Sequence, residues 1–210
     1  MMISNAALTI LISNFLALPA IASGIDCTKA ASTSDHLICA DQSLRARDSI
    51  LGDLYAAAIK GDDAGKIKQQ QQRWVKSLQS CADAACIRTT YDDRIGNLLA
   101  SKGGQSVSTN FSAENANGNE GNLSIFGPVD GLAAVFVTST FVGPGGADAG
   151  DVNADNVSGV IPLKDGHGKL SSDNCSIRLD RLNARTWRVS QSGACQFANG
   201  VAMQGTYRRQ

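Results

Sequence analysis

The sequence predicts an α+β protein in which a disulfide-stapled three-helix unit precedes a small antiparallel β-barrel or sandwich. Apolar residues recur with helical spacing in the first half of the chain, whereas from about residue 122 they alternate with polar residues. Six cysteines fall into two groups, four before residue 90 and two after residue 170. Because both groups are even, each half of the protein can close its own disulfides.

Composition and charge exclude several classes of protein. The 210 residues include 19 Lys and Arg and 19 Asp and Glu, so the formal net charge is zero. A nucleic-acid-binding protein needs a basic face, and we expect no such partner. Hydrophobic residues make up 43% of the chain and charged residues 18%, which is typical of a folded globular protein.

The amino terminus has the pattern of a signal peptide. Residues 6–20 form an uncharged apolar run, shorter than the roughly 20 residues of a membrane span. Small residues follow, and we expect cleavage after Ala22, with Ser23 as the alternative. Residues 1–22 are then a signal peptide, and the mature protein is expected to be periplasmic or secreted. No later run approaches spanning length, so no membrane insertion is expected after cleavage.

Export favours disulfides over reactive thiols. The cysteines are Cys27, Cys39, Cys81, Cys86, Cys175 and Cys195. The last two predict a Cys175–Cys195 bridge, while the first four allow three connectivities. We favour the two connectivities that link the first helix to the end of the second, because antiparallel helices would bring those cysteines together.

Residues 23–100 are predicted to form the helical domain. A first helix, with Ser34 offering its N-cap, ends at 61–63, a second covers 64–80, and a third covers 87–100. The apolar stripe of the first helix contains Leu37, Leu44, Leu51, Tyr55 and Ala58. Asp48 interrupts that stripe and needs a partner if it is buried. Arg94 is the natural candidate, since an Arg–carboxylate pair would join the first and third helices.

Three short motifs follow one another between residues 27 and 99. They read D-x-x-L-x-x-x-Y, then Q-x-x-W before a cysteine, then R-I-x-x-L. Their residues are Asp48, Leu51, Tyr55, Gln71, Trp74, Cys81, Arg94, Ile95 and Leu98. This arrangement resembles the N-terminal domain of LprI-type lysozyme inhibitors. The resemblance implies a helical domain in an exported protein that binds and inhibits a lysozyme-type muramidase.

The second half of the chain changes character. Residues 101–121 are rich in Ser, Gly, Asn and Gln and are predicted to be a linker. Residues 122–210 are predicted to be an all-β domain of six or seven short strands. We expect these strands over 122–126, 132–142, 157–163, 168–171, 175–182, 186–192 and 201–208.

Charge in the second half is unevenly distributed. Residues 174–210 contain one acidic residue and six arginines, namely Arg178, Arg181, Arg185, Arg188, Arg208 and Arg209. One interpretation is a solvated outer face, and the alternative is a patch for an anionic partner.

An acidic, glycine-rich loop is predicted over 143–156. Asp151, Asn153 and Asp155 match half of a calcium loop, but Asn156 and Pro162 replace its later glycine and glutamate, so we expect no specific metal site.

The sequence lacks the motifs of common enzymes. It has no nucleophile elbow, no phosphate-binding glycine loop and no metalloprotease motif, and its only histidines are His36 and His167. We therefore expect a binding protein that has no cofactor and is not an enzyme.

Two alternatives to a lysozyme inhibitor are open: a periplasmic interaction or envelope-assembly module, and a toxin-immunity protein. If a cationic side chain blocks the acidic cleft of a muramidase, Arg185 is the candidate.

Overall fold

The computed structural model describes residues 24–61, 63–114, 118–172 and 174–210. The predicted signal peptide, residues 1–22, lies outside these ranges. Helices come first, and an antiparallel, nearly closed barrel of eight strands follows. Three disulfides join the six cysteines. The predicted α+β class is confirmed.

Five α-helices occupy the first part of the described chain. A short 3-10 turn, Cys27–Lys29, precedes them. None of the described helices combines the length and the apolar character needed to cross a membrane. The helices are α1 (Thr33–Ala40), α2 (Gln42–Ala58), α3 (Ala64–Gln79), α4 (Ala84–Leu99) and α5 (Lys102–Ser106).

The prediction of one long first helix is wrong. The chain breaks at Asp41, whose carboxylate accepts the backbone N–H groups of Ser43 at 2.7 Å and Leu44 at 3.2 Å. Asp41 thereby caps α2, because it satisfies N–H groups that have no partner within the helix. The cap of α1 is Ser32, which forms a capping box with Asp35, and not the predicted Ser34.

The first four cysteines pair locally. Cys27 bonds to Cys39, and Cys81 bonds to Cys86. The expectation of bridges between the first and second helices is therefore wrong. The two bridges span only 12 and 5 residues of sequence, and their Cα atoms lie 5.6 and 5.5 Å apart. The predicted Cys175–Cys195 bridge is present.

The eight strands form an up-and-down sheet in the order β4-β3-β2-β1-β8-β7-β6-β5. All neighbours are antiparallel, and β4 and β5 are the two edges that leave the barrel not fully closed. The predicted strand over 132–142 is confirmed in full, and β4 begins five residues before its predicted start. The strands are β1 (Thr109–Glu114), β2 (Asn119–Val129), β3 (Leu132–Val142), β4 (Val152–Pro162), β5 (His167–Ser172), β6 (Cys175–Asn183), β7 (Thr186–Gly193) and β8 (Gly205–Arg209).

The predicted linker is wrong, because residues 101–121 contain α5, β1 and the start of β2. The glycines of this segment serve close packing. A Cβ on Gly103 would lie 2.5 Å from Cα of Ala58, and one on Gly104 would lie 2.1 Å from the carbonyl oxygen of Leu98. Helix α5 therefore packs against α2 and the end of α4 at a distance that only glycine permits.

The helices and the barrel share one apolar layer. Ala134 of β3 and Val160 of β4 are buried among the helical side chains, whereas Ala133 and Val135 of β3 face the barrel interior. Strand β3 is thus covered on both faces, which explains its continuous apolar sequence. The predicted helical residues 23–100 and the predicted all-β residues 122–210 therefore pack against each other through this layer.

Candidate binding surfaces

A cavity of about 270 Å³ lies within the helical unit. Its walls come from α1, α2, α3, α4 and the segment before the first disulfide. Five of the nine predicted motif residues line it, namely Asp48, Leu51, Tyr55, Gln71 and Trp74. The motif residues that the sequence places on two helices are thus brought together, whereas Arg94 faces a neighbouring groove beyond Trp74.

Asp48 is half-buried and has two neutral partners. The phenol of Tyr91 donates to its Oδ1 at 2.8 Å, and the backbone N–H of Ile25 donates to its Oδ2. The predicted Asp48–Arg94 pair is wrong. Burial, followed by the nearby Asp48 carboxylate, raises the pKa of Tyr91 well above its ordinary value of 10.0. Tyr91 therefore stays protonated and remains a donor to Asp48.

Arg94 is buried between α3 and α4 and binds neutral oxygens. Its Nε donates to Oε1 of Gln71 at 2.9 Å, and its two terminal nitrogens donate to Oε1 of Gln70 and to the carbonyl oxygen of Ile67. Burial lowers its pKa below the ordinary value. Gln71 thus orients this guanidinium.

Trp74 separates the cavity from the groove. Its indole N–H donates to the carbonyl oxygen of Thr90 at 2.9 Å, and its ring meets that of Tyr91 edge-on at a centroid distance of 5.2 Å. Leu51 is buried, while Tyr55 and Trp74 are half-buried at the cavity wall. Leu51 belongs to the hydrophobic core of the helical unit, and Tyr55 and Trp74 pack against that core.

The buried ion pair of the helical unit joins Arg47 and Asp92. Nε of Arg47 lies 2.7 Å from Oδ1 of Asp92, and the two side chains are 6% and 27% exposed. Arg47 also donates to the carbonyl oxygen of Val160 at 3.1 Å, which links α2 to strand β4. Burial raises the pKa of Asp92 despite the opposing charge of Arg47. Sequence reasoning missed this pair, although Arg47 lies three residues after Leu44 and therefore on the apolar stripe.

The six arginines of the last strands do not form one rim. Arg178, Arg188 and Arg208 alternate with buried residues and lie on the outer face of the barrel. Arg178 pairs there with Asp180 at 3.0 Å, and Asp180 also contacts Nδ1 of His167 at 2.7 Å. These contacts, His167 first, lower the pKa of Asp180. Arg181, Arg185 and Arg209 lie instead at one end of the barrel.

Arg185 stands in the short turn between β6 and β7. Its backbone N–H donates to Oδ1 of Asn183 at 2.9 Å, and its carbonyl oxygen accepts the N–H of Arg209 at 2.9 Å. The backbone of the turn is therefore tied to its own hairpin and to β8. The side chain is exposed and forms no ion pair with any described carboxylate.

The acidic segment over 143–156 is only partly a loop, because β4 begins at Val152. The carboxylate of Asp151 accepts the backbone N–H of Gly145 at 2.9 Å, and that of Asp155 accepts the N–H of Ala198 at 3.0 Å. Both carboxylates stabilise backbone turns. Within the described ranges, no group of three or more His, Cys, Asp or Glu residues is placed to hold a metal ion.

Comparison of the chain with protein-family models, with curated proteins and with solved structures gave no match.

Proposed function

We propose that this chain is an exported protein that inhibits lysozyme-type muramidases by presenting the β6–β7 turn to their active-site cleft. The observation that carries the proposal is Arg185, an exposed cation that pairs with no carboxylate of the described residues, on a turn whose backbone is fixed at both ends. The motifs that resemble LprI-type inhibitors supply the class of target.

Three disulfides support a location outside the reducing cytoplasm, in agreement with the predicted signal peptide. We therefore propose a periplasmic or secreted protein. The described side chains show local bridges within the helical unit and one bridge between β6 and the segment before β8. Such bridges stabilise a rigid surface, which suits a binding protein better than a flexible one.

The chemistry of the target fits a cationic turn. Glycoside hydrolases of this type place two carboxyl groups on either side of the scissile bond. A guanidinium between them would form charge-assisted hydrogen bonds and exclude substrate. Because the backbone at Arg185 is already held by Asn183 and Arg209, little conformational entropy is lost when the turn binds.

The contacts of the helical unit support a scaffold role for it. Five motif residues line one cavity of the helical unit, and Arg94 is buried against neutral oxygens. We propose that these residues stabilise the helical unit, while the barrel end binds the enzyme. No catalytic group is assigned to the chain, and no cofactor or nucleic acid enters this proposal.

Lysis of a bacterial cell-wall suspension by a basic lysozyme tests the proposal. Oxidised mature protein should slow the loss of turbidity in a dose-dependent way. Arg185→Glu should raise the concentration for half-inhibition by about tenfold or more, because a carboxylate would face the acidic cleft. Lys169→Glu makes the same charge change on the outer face of β5 and should shift it by no more than about twofold.

Each outcome of that assay bears on one part of the proposal. Absence of inhibition at a large molar excess would overturn the muramidase target and favour the alternative of an envelope interaction or toxin-immunity protein. Inhibition that Arg185→Glu leaves unchanged would keep the target but remove the β6–β7 turn from the interface.

A further inference from the structure

The end of the barrel that carries Arg185 also contains a separate pocket of about 190 Å³. Phe111 and Trp187 are buried in its floor, where their rings meet edge-on at a centroid distance of 6.4 Å. Leu163 adds an apolar wall. Arg181 and Arg209 line the same pocket and are exposed at its opening.

The strand register shows why these two arginines are unusual. Residues paired directly across antiparallel strands share one face of the sheet. Arg181 is paired with Trp187, and Arg209 is paired with Phe111. Both arginines therefore occupy positions of the inner face, where Leu179 and Tyr207 on the same strands are buried. Charged residues at inner-face positions break the alternation that the rest of these strands follow.

Neither guanidinium is neutralised within the described part of the chain. No described carboxylate forms an ion pair with Arg181 or Arg209, and no acidic residue lines the pocket. Arg178 and Arg47, by contrast, each pair with an aspartate. The guanidinium groups of Arg181 and Arg209 thus lie over two aromatic rings and have no carboxylate partner among the described residues.

Arg181 is held in place by the turn between β4 and β5. Its backbone N–H donates to the carbonyl oxygen of Gly166 at 2.8 Å, and a Cβ on Gly166 would lie 2.7 Å from the Arg181 Cβ. Gly166 has φ +83°, a conformation that favours glycine. The Arg181 side chain thus packs over a position without a side chain, which limits its conformational freedom.

We propose that this pocket binds an organic carboxylate carried on a small apolar group. The two guanidinium groups take the carboxylate, because their planar donor pattern matches its two oxygens. The apolar group contacts Phe111, Trp187 and Leu163. This site goes beyond the proposed inhibition of muramidases, since it requires no enzyme and uses residues other than Arg185. The ligand is a free acid or the carboxyl end of a peptide, which share this chemistry.

Titration of the full mature protein with N-acetylleucine, followed by NMR, tests the site. The two tryptophan indole N–H signals are assigned with a Trp74→Phe sample. The signal of Trp187 should move in a saturable way, while that of Trp74, in the helical unit, should not. N-acetylleucine amide, which lacks the charge, should leave both signals in place. A short peptide that ends in leucine, with a free or an amidated carboxyl group, distinguishes a chain end from a free acid.

Variants separate a specific site from general charge. Arg181→Gln with Arg209→Gln should weaken binding by about tenfold or more, because both charge-assisted contacts are lost. Arg188→Gln, an outer-face change on β7, should leave it within about twofold. The proposal is overturned if no saturable shift occurs up to about 50 mM ligand, if the amide acts equally, or if the double variant binds as wild type. Equal loss in Arg188→Gln would also overturn it.

Discussion

Buried charges of the helical unit find their partners on other elements. Asp48 is satisfied by a phenol and a backbone N–H, Arg94 by two glutamines and a carbonyl oxygen, and Arg47 by Asp92. A buried polar group costs free energy unless its hydrogen bonds are satisfied, but the partner need not carry a charge. The sequence shows that Asp48 needs a partner without showing which of several candidates supplies it.

Double-mutant cycles should place the ionic coupling between Arg47 and Asp92. Loss of Arg47 alone should lower the free energy of unfolding by roughly 3 kcal/mol, because Asp92 then remains buried and unpaired. The coupling of Arg47→Met with Asp92→Asn should exceed about 1 kcal/mol, whereas Asp48→Asn with Arg94→Met should couple by less than about 0.5 kcal/mol. Chemical denaturation measures both cycles. The opposite ranking would restore the pair that the sequence suggests.

Tyr91 should make the protein sensitive to alkaline pH. Its folded pKa is raised above the ordinary value of 10.0, so its contribution to stability is complete below that pH. As pH rises past that value, the unfolded chain loses the proton and the folded chain keeps it, so stability falls. Urea denaturation from pH 8 to 11 should show a shallower decline for Tyr91→Phe than for wild type. Parallel declines would show that Tyr91 titrates alike in both states.

At the scale of elements, glycine has two different roles in neighbouring parts of the chain. Gly103 lies where α5 meets Ala58 of α2, and a side chain there would collide with backbone. Gly65, in the first turn of α3, has no neighbouring atom within 4 Å of its Cβ position. Composition alone makes residues 101–121 resemble a linker, because it does not reveal close packing.

Alanine at these two glycines should act in opposite directions. Gly103→Ala should destabilise the protein by about 1–3 kcal/mol, since backbone must move to admit the methyl group. Gly65→Ala should stabilise it by about 0.5–1 kcal/mol, because alanine has a higher helix propensity than glycine and the methyl group has room at this position. Thermal unfolding followed by circular dichroism compares them. Equal and small effects would mean that α5 does not pack against α2 as described.

At the scale of the whole molecule, local pattern predicts elements better than it predicts their neighbours. The apolar run of 132–142 and the helix around Trp74 follow from periodicity, and Cys175–Cys195 follows from cysteine count. Strand β1 was not predicted, because its polar sequence has only Phe111 and Ala113 as apolar residues. The inner-face positions of Arg181 and Arg209 depend on strand register, which no local pattern in the sequence supplies.

The shared core makes the helices and the barrel one unit. Val160 of β4 is buried among helical side chains, and its carbonyl oxygen binds Arg47 of α2. The β6–β7 turn therefore belongs to a single packed unit that contains both the helices and the barrel. This arrangement suits the proposed role, in which the barrel end is presented to an enzyme without rearrangement.

Calorimetric titration of the oxidised mature protein into a lysozyme-type muramidase tests the central claim most directly. The titration is run with the enzyme's cleft free and again with the cleft filled by a chitin oligosaccharide. We predict one-to-one binding to the free enzyme and its loss when the oligosaccharide is bound. Absence of binding, or binding that the oligosaccharide leaves unchanged, would contradict the proposal that this protein blocks the active site.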